Sequence, residues 1–333
     1  MTLKIGVVGG TGNVGRKILQ ILEEREVGIS SLHIFASERS LGKKVEFKGV
    51  ELTIEALTEE AMKESFDYLF FSAGGGISEK YGKIAAEAGN IVIDNSSQWR
   101  MNVDVPLIVP EINGDLLKNY RGIIANPNCS TIQMVSALYP LHRAYKIQRI
   151  VVSTYQAVSG SGTAGIEELE GQLKDGEHKP STYPVKIAGN CVPHIDVFQN
   201  DGYTKEEHKM IFETQKILDD QKIQVQPTAV RVPVFNGHSE SVYVEFEKAP
   251  DIEETRRILQ SQSNIVLMDE PESLIYPTVF DADERDEVFI GRLRKDLFNV
   301  KGLSMWIVAD NLRKGAATNA VEVMLHMEGL KKQ

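Results

Sequence analysis

The chain has 333 residues, of which 42% are hydrophobic and 25% charged, and its formal net charge is −10. This composition excludes a largely disordered chain, and the length favours two domains over one. An acidic chain has no general attraction for a nucleic-acid backbone or an anionic membrane surface, so neither is an expected partner. An anionic small molecule must therefore be held by a few well-placed basic residues.

The chain contains two cysteines, Cys129 and Cys191. Two are too few for a disulfide framework or a zinc site built from cysteine, and no metal centre is expected. The first residues lack the layout of a signal peptide, and the apolar runs are far shorter than the roughly 20 residues that cross a bilayer. We therefore expect a soluble protein of a reducing compartment, the cytoplasm.

Short apolar runs alternate with helical patterns through the first 130 residues. The predicted strands are Lys4–Val8, Leu32–Ala36, Tyr68–Ser72, Ile91–Asp94, Leu107–Val109 and Ile123–Ala125. After the first of them, Val14, Ile18, Ile21 and Leu22 fall on one face of a helix. This alternation predicts right-handed crossovers and a mostly parallel sheet, which is an α/β fold.

Longer β-rich runs dominate after residue 130. They are Arg149–Ala157, Thr228–Phe235, Val242–Phe246, Val288–Arg294 and Ser304–Ala309. Several alternate apolar and polar residues, which is typical of antiparallel strands with one covered face. Capping boxes predict helix starts at Thr204 with Glu207 and at Asp251 with Glu254, and Ala316–Met327 is a last apolar helix.

The segment Gly10-Thr11-Gly12-Asn13-Val14-Gly15 fits the G-x-G-x-x-G pattern of dinucleotide-binding loops. The pattern alone is weak, but here it follows a predicted strand and opens a helix. In that setting Gly10 permits a tight turn, Gly12 lets the backbone approach a pyrophosphate, and Gly15 lets helix and strand pack closely. The helix N-terminus then offers free N–H groups to the phosphates. An ordinary glycine turn is the alternative.

The residues after the second predicted strand bear on which dinucleotide is bound. An NAD site usually has Asp or Glu there to hold the ribose hydroxyls. This chain reads Ala36-Ser37-Glu38-Arg39-Ser40, with Lys43 and Lys44 just beyond. Hydroxyl groups and Arg39 suit a 2′-phosphate, which favours NADP. Glu38 leaves NAD open, and Arg39 as a solvated loop charge is the other interpretation.

Cys129 lies in Asn-Pro-Asn-Cys-Ser-Thr, after a predicted strand and before an apolar helical run. At the first turn of a helix, the dipole and the free N–H groups stabilise a thiolate and an oxyanion formed on a carbonyl bonded to it. We therefore interpret Cys129 as a nucleophile, although a buried cysteine is more often a small apolar residue. Cys191 has no such setting, and we interpret it as structural.

A thiolate and a nicotinamide cofactor together indicate one chemistry. The thiolate adds to an aldehyde, hydride passes to the cofactor, and the remaining thioester is released by a second nucleophile. An alcohol dehydrogenase has no need of the cysteine.

Such a scheme also needs a base, and His238 is a candidate. It lies in Arg-Val-Pro-Val-Phe-Asn-Gly-His, at a predicted turn between two β runs, where an imidazole can act near neutral pH. Arg231 opens that segment inside an apolar strand and needs a partner there. It holds either a substrate carboxylate through two parallel hydrogen bonds or an internal ion pair.

Three further charged residues have two interpretations each. Glu206 and Lys209 are i,i+3 neighbours at a predicted helix start, which suits either a surface salt bridge or a site. Arg100 follows a polar run and is either an anion site or a surface charge.

Taken together, these motifs resemble the aspartate-β-semialdehyde dehydrogenase family over nearly the whole chain. The matching segments, in the same order and spacing, are GVVGGTGNVG, NPNCSTIQM, YQAVSGSG, EEHKM, RVPVFNGHSESV and DNLRKGAATNAVE. The cysteine segment and RVPV-x-x-GHSE are the most specific of them, whereas the glycine loop occurs in many unrelated enzymes.

The resemblance implies a fold and a reaction. The fold is a Rossmann-type NADP-binding domain, residues 1–128 with 313–333, plus an α+β catalytic and dimerisation domain, residues 129–312, with the C-terminal helix returning to the first domain. The reaction interconverts L-aspartate 4-semialdehyde, phosphate and NADP⁺ with 4-phospho-L-aspartate and NADPH, on the route to lysine, threonine and methionine. The family also implies a homodimer.

The resemblance further implies a role for individual residues. Cys129 is the acyl-thioester nucleophile, His238 the acid/base, and Gln156 orients the intermediate. Arg231 binds the substrate carboxylate and Glu206 its amino group, while Arg100 and Lys209 bind phosphate and Asn128 also contacts the substrate. The implied NADP contacts are Gly10, Thr11, Gly12, Asn13, Val14, Ser37, Arg39, Ser40, Ser159, Gly160 and Asn311.

Two alternatives are left open by the residues alone. One is a related thiol-dependent acyl-phosphate reductase, such as N-acetyl-γ-glutamyl-phosphate reductase or a glyceraldehyde-3-phosphate dehydrogenase-like enzyme, whose substrate clamp differs. The other is a non-catalytic NADP(H)-binding redox sensor, which needs no nucleophile.

Overall fold

The structure is a computed structural model that describes residues 2–175 and 180–331. It divides into two compact units. Unit 1 comprises Met1–Asn128 and Ala316–Gln333, and unit 2 comprises Cys129–Gly315. Among the described residues, no helix is both long and apolar enough to cross a membrane.

The second boundary differs from the sequence-based division, which placed residues 313–315 with the nucleotide-binding domain. These residues belong to unit 2 because Arg313 forms ion pairs with Glu284 at 3.4 Å and Asp286 at 2.9 Å. The N–H of Gly315 also donates to the Asp310 carbonyl oxygen.

In the residues that the structure describes, unit 1 contains eight strands and five α-helices before its C-terminal segment. The strands are β1 (Leu3–Val8), β2 (Ile29–Ala36), β3 (Lys44–Phe47), β4 (Val50–Thr53), β5 (Glu55–Ala56), β6 (Tyr68–Phe71), β7 (Ile91–Asp94) and β8 (Ile123–Ala125). The helices are α1 (Asn13–Glu24), α2 (Glu59–Lys63), α3 (Gly75–Ile77), α4 (Lys83–Glu87) and α5 (Pro110–Asn113). The main sheet has the order β5-β2-β1-β6-β7-β8, and every pair in it is parallel.

The predicted α/β fold of this region is confirmed. All residues of β6 and β7 are buried, as expected for central strands of a parallel sheet that is covered on both faces. The C-terminal helix, Thr318–Leu330, places Val321 and Met324 in the same core as Ile5 of β1 and Ile18 of α1. The predicted return of this helix to the first domain is therefore also confirmed.

The predicted strand Leu107–Val109 is wrong. Leu107 forms only an isolated bridge with Ala125, and a short helix begins at Pro110. Prolines at 106 and 110 flank the segment, and a proline has no N–H to extend a ladder.

Outside residues 176–179, unit 2 contains six strands and five α-helices. The strands are β9 (Ile147–Gln156), β10 (Gln224–Arg231), β11 (His238–Phe246), β12 (Ile265–Leu267), β13 (Val288–Lys295) and β14 (Gly302–Ala309). The helices are α6 (Cys129–Tyr145), α7 (Gly162–Asp175), α8 (Lys205–Ile217), α9 (Ile252–Gln260) and α10 (Val279–Ala282). The sheet order is β10-β9-β11-β14-β13-β12.

This sheet is mixed, which corrects the expectation of antiparallel strands. The pairs β9–β10 and β12–β13 are parallel, and the other three pairs are antiparallel. The chain between β9 and β10 is a long crossover that contains α7 and α8, so the two strands can run in the same direction. The strand predicted at Thr228–Phe235 ends at Arg231 because Pro233 follows.

The two faces of the mixed sheet differ in what covers them. Helix α6 packs against β9, β11, β13 and β14, and α8 packs against β10. Side chains alternate along each strand, so Gln156 is buried whereas its neighbour Tyr155 is 37% exposed. Tyr155 faces a groove of about 590 Å³ that Tyr276, Met305 and Trp306 also line.

Candidate active site

The glycine loop of unit 1 lies between β1 and α1, as predicted. Gly12 caps α1, and no side chain caps the first turn. A Cβ on Gly15 would lie 2.3 Å from the Gly9 carbonyl oxygen, so turn and helix touch as the pattern predicts. The left-handed residue of the turn is Gly9, with φ of +83°, and not Gly10. A Cβ on Gly10 would instead meet Ile34 at 2.6 Å, so Gly10 serves close packing on β2.

The loop after β2 forms a 3₁₀ turn over Glu38–Ser40, with Ser37 at its N-cap position. Ser37 and Glu38 are exposed, and Ser40 is half-buried. The N–H of Ser40 donates to the Ser37 carbonyl oxygen at 2.8 Å, which fixes the turn that also contains Arg39. In the glycine loop, Thr11, Asn13 and Val14 are half-buried.

Arg100 is a buried guanidinium in unit 1, with 8% of the residue exposed, so its interpretation as a surface charge is wrong. Its Nη2 donates to the Asn95 carbonyl oxygen at 2.8 Å. The Asn95 side chain in turn accepts a hydrogen bond from Asn126 at 2.7 Å, and Asn126 accepts one from Asn319 at 2.7 Å. Side-chain amides therefore connect Arg100 to the segment that ends in the buried Asn128.

Cys129 is the first residue of α6 and is half-buried, as the sequence predicts for a nucleophile at a helix start. Gly315 packs directly against it, because a Cβ on Gly315 would lie 2.8 Å from the Cys129 Cβ. A side chain at residue 315 would displace the nucleophile. Cys191 is exposed, and no observation gives it a catalytic setting within the described residues.

Three predicted site residues lie in one row across the mixed sheet. Arg231 ends β10 and pairs with Gln156, which ends β9, while His238 begins β11, whose Ser239 pairs with Tyr155. The carboxyl ends of the two parallel strands and the start of the antiparallel strand therefore meet at one sheet edge. All three side chains are at least 95% buried.

Arg231 and His238 converge on Gly160. A Cβ on Gly160 would lie 2.8 Å from the Arg231 Nη1 and 3.3 Å from the His238 Nε2. The same Nη1 donates to the Ala157 carbonyl oxygen at 2.6 Å, and in the described part of the chain no carboxylate forms an ion pair with Arg231. The alternative of an internal ion pair is therefore not what the structure shows.

The hydrogen bonds of His238 define its tautomer. Its Nδ1 accepts the N–H of Ala157 at 3.1 Å, so the neutral ring carries its proton on Nε2. Within residues 2–175 and 180–331, no hydrogen-bond partner reaches Nε2. Burial, with the positive charge of Arg231, lowers the pKa of His238 from 6.5 to about 3. At neutral pH the ring is therefore uncharged and offers an N–H donor.

Glu206 and Lys209 begin α8, whose capping box is confirmed by reciprocal bonds between Thr204 and Glu207 at 2.7 and 3.3 Å. Glu206 is 95% buried, so the interpretation of a plain surface salt bridge is wrong. Gln156 donates to its Oε1 at 3.3 Å and Lys209 to its Oε2 at 2.9 Å.

Lys209 also pairs with Asp196 at 2.9 Å. Burial lowers the pKa of Lys209, but the carboxylates of Glu206 and Asp196 outweigh this effect and leave it raised. Lys209 is therefore a paired cation that Glu206 links to Gln156.

Ser159 and Asn311 are joined through their side chains. The Ser159 hydroxyl lies 3.1 Å from Asn311 Oδ1 and 3.0 Å from its Nδ2, and the N–H of Gly237 also donates to Asn311 at 2.9 Å. Asn236 lies beside them, because the Ser159 hydroxyl donates to its Oδ1 at 3.2 Å. Ser159, Gly160 and Asn311 thus surround the turn that leads into His238.

Residues of these networks that were not predicted from the sequence include Gly9, Asn126, Asn236 and Gly315. Each lies in or next to a sequence motif that was singled out because of a different residue. A glycine inside an otherwise helical pattern, as at Gly315, is the one indication that the sequence offers.

Comparison with known proteins agrees with this fold. Residues 4–120 match the family model for the semialdehyde dehydrogenase NAD binding domain, and residues 138–314 match the model for the semialdehyde dehydrogenase dimerisation domain. The chain is thus built from the two domains of a semialdehyde dehydrogenase.

Individual relatives identify which semialdehyde dehydrogenases the chain is similar to. The aspartate-semialdehyde dehydrogenase of Aquifex aeolicus is 51% identical, over 99% of this chain and all of that protein. The enzyme of the same name from Bacillus subtilis is 45% identical over 99% of this chain and 98% of its own. A crystal structure of aspartate semialdehyde dehydrogenase II complexed with ASA from Vibrio cholerae has a TM-score of 0.95 and 46% identity, with 99% of each chain covered. The chain belongs to the aspartate-semialdehyde dehydrogenase family.

Proposed function

We propose that this chain carries out the aspartate-semialdehyde dehydrogenase reaction through a thioester on Cys129, with NADP as the dinucleotide. The reaction itself follows from the family, and the residue roles are the proposal. The observation that carries them is the composition of unit 2. It combines a cysteine at a helix start with a row of buried Arg231, Gln156 and His238 at one sheet edge.

The cysteine supplies the covalent step. In the biosynthetic direction, the Cys129 thiolate attacks the acyl carbon of 4-phospho-L-aspartate, a C–S bond forms, and the C–O bond to phosphate breaks. The N–H groups at the start of α6 stabilise the thiolate before the attack and the oxyanion after it. The product is a thioester on Cys129 and inorganic phosphate.

His238 serves the oxygen atom of this thioester. Its Nε2–H, buried and uncharged, is a donor for the carbonyl oxygen and for the oxyanion that forms when the thioester is reduced. The oxyanion then collapses to the aldehyde and returns the thiolate, with no net proton transfer. Of the acid and base roles that the resemblance implies for His238, this tautomer therefore favours that of a hydrogen-bond donor.

The remaining side chains match the charges of the substrate. The planar guanidinium of Arg231 suits the α-carboxylate, because it can donate two parallel hydrogen bonds. Glu206, buried and bonded to Gln156, suits the ammonium group. Arg100 and Lys209 remain the proposed phosphate ligands and Asn128 a further substrate contact, on the strength of the resemblance.

The residues of unit 1 fit a dinucleotide. The first turn of α1, which no side chain caps, presents main-chain N–H groups to a pyrophosphate, and Gly12 leaves the backbone open to it. The loop Ser37–Ser40 is the proposed site of a 2′-phosphate, and Ser159, Gly160 and Asn311 are proposed contacts in unit 2. NADP, when bound, supplies or accepts the hydride.

We further propose that two copies of the chain pair through the open face of the mixed sheet. The groove there carries Tyr276, which is 43% exposed, and Tyr155, whose ring packs on Trp306 at 5.4 Å. This face lies in the segment that matches a dimerisation domain. Tyr276→Asp should halve the mass measured by light scattering, whereas Phe212→Asp, at an aromatic outside the groove that is 44% exposed, should not. An unchanged mass for Tyr276→Asp would place the interface elsewhere.

A cytoplasmic location belongs to the same proposal, because a reducing compartment keeps Cys129 in its thiol form.

A spectrophotometric assay tests the function most simply. Aspartate semialdehyde should reduce NADP⁺ in a phosphate-dependent manner, and NAD⁺ should be the poorer acceptor. Faster oxidation of N-acetylglutamate semialdehyde would overturn the substrate assignment, since that substrate has no ammonium for Glu206. NADP(H) binding without turnover would indicate a sensor.

Substitution of His238 by glutamine and by asparagine, whose side chains end in amides, tests its role. A glutamine places its N–H₂ close to the position of Nε2, whereas an asparagine does not reach it. His238→Gln should therefore retain about tenfold more turnover than His238→Asn. Equal loss in both variants would favour a general base instead.

A further inference from the structure

The core of unit 2 contains a carboxyl group that the proposed chemistry does not use. Glu240 lies two residues after His238 on β11, so both side chains project from the same face of the sheet. It is fully buried. Within the described residues, neither carboxyl oxygen has a hydrogen-bond partner of ordinary geometry. An ionised carboxylate in this position is untenable, since burial of an unpaired charge costs many kcal/mol.

The polar group beside this carboxyl is the side-chain amide of Gln133. Gln133 is also fully buried, and its Oε1 is another atom to which the described residues bring no donor. One proton on Glu240 accounts for two of these three atoms, because the protonated oxygen of a neutral carboxyl donates through its O–H to the amide oxygen of Gln133. Burial raises the pKa of Glu240 well above its ordinary value, in agreement with this state.

Gln133 connects this carboxyl to both candidate catalytic residues. It lies one helical turn after Cys129 on α6, on the same face of the helix. Its Nε2 donates to the main-chain carbonyl oxygen of His238 at 3.3 Å. The Gln133 amide therefore links the first turns of the cysteine helix to the start of β11.

We propose that Glu240 is a positioning residue, which carries a proton, donates it as a hydrogen bond to Gln133, and so fixes the strand of His238 against the helix of Cys129. The inference that this improves turnover rests on the proposed function. The protonation state and the alignment of the helix do not.

Infrared difference spectroscopy tests the protonation state. Protein with ¹³C-labelled glutamate should show the carbonyl stretch of a neutral carboxylic acid at pH 7.5, and Glu240→Gln should remove it. Glu245→Gln is the matched control, because Glu245 lies on the same strand but is only half-buried, and it should leave the band in place. Absence of the band in the parent protein would overturn the proposal. So would failure of Glu240→Gln to fold, since the amide supplies an equivalent neutral donor.

The alignment is tested by the reactivity of the thiol. The rate of Cys129 alkylation by iodoacetamide should fall by about tenfold in Glu240→Leu and in Gln133→Leu, and should stay within about threefold of the parent in Glu240→Gln. In the aldehyde assay, kcat should follow the same order while KM changes little. Equal alkylation rates in all variants would show that the pair is only structural. If the alkylation and infrared results hold but aspartate semialdehyde is not turned over, the proposed function fails and this inference stands.

Discussion

The nucleotide-binding unit and the catalytic unit differ in which atoms they offer to a ligand. In unit 1 the glycine loop presents main-chain N–H groups at the uncapped start of α1, and close contacts such as Gly15 against Gly9 shape the loop. In unit 2 the groups that we propose to face the ligand are buried side chains, Arg231, Glu206 and His238, each held by a specific hydrogen bond.

This difference predicts opposite sensitivities. A site made of backbone is damaged by added atoms and barely affected by the chemistry of nearby side chains. A site made of buried polar side chains is damaged by removal of one functional group, because its partner is then left unsatisfied. Substitutions in the two units should therefore separate dinucleotide binding from chemistry.

The largest effect is expected from Cys129→Ala. Every covalent step passes through this sulfur, so phosphate-dependent turnover should fall by at least about 10³-fold. The dissociation constant for NADP⁺, measured by calorimetry, should not change. A variant that kept a tenth of the parent turnover would contradict the thioester mechanism.

A smaller loss is expected from Arg231→Lys. Lysine keeps the charge but loses the planar pair of donors, so kcat/KM for aspartate semialdehyde should fall by about 100-fold. NADP⁺ binding should again be unaffected. Unchanged kinetics would show that Arg231 does not bind the carboxylate.

In unit 1 the corresponding test is an added methyl group. Gly15→Ala would bring a Cβ against the Gly9 carbonyl oxygen and should weaken NADP⁺ binding by about tenfold. Gly76→Ala is the control, since open space surrounds that position. If Gly15→Ala bound NADP⁺ normally, the close packing of this loop would not be what shapes the site.

The smallest effect concerns pH. The pKa of His238 is lowered to about 3 by burial and Arg231, so the unfolded chain takes up this proton as the pH falls below 6.5 and the folded chain does not. Stability from this residue is complete above pH 6.5 and is lost as the pH falls. Between pH 7 and pH 5, the free energy of unfolding measured in urea should fall by about 1–2 kcal/mol more for the parent than for His238→Gln. A His238 ring signal that titrates near pH 6.5 by NMR would contradict this.

The sequence predicts most of the fold, and it proposes the residues of the candidate site. The strand–helix alternation, the helix start at Cys129 and the capping box at Thr204 depend on local pattern, and the structure confirms them. The row formed by Arg231, Gln156 and His238 depends on strand register, which local pattern does not determine. The parallel pairing of β9 and β10 was not predicted because it depends on a long crossover.

The features that the sequence does not predict depend on contacts between distant segments of the chain. Gly315 against Cys129, and Gln133 between His238 and Glu240, join residues more than 100 positions apart. Burial also changes the meaning of single residues. Arg100 and Glu206 suit a solvated surface as well as a site, and only the fold shows that both are buried.

The most direct test of this account is to mix the protein with 4-phospho-L-aspartate in the absence of NADPH, quench the reaction, and map the acyl group by mass spectrometry. We predict one aspartyl adduct on the peptide that contains Cys129, formed with release of phosphate and absent from Cys129→Ala. An adduct on another residue, or none in a protein that turns over normally, would contradict the central role of this thiolate.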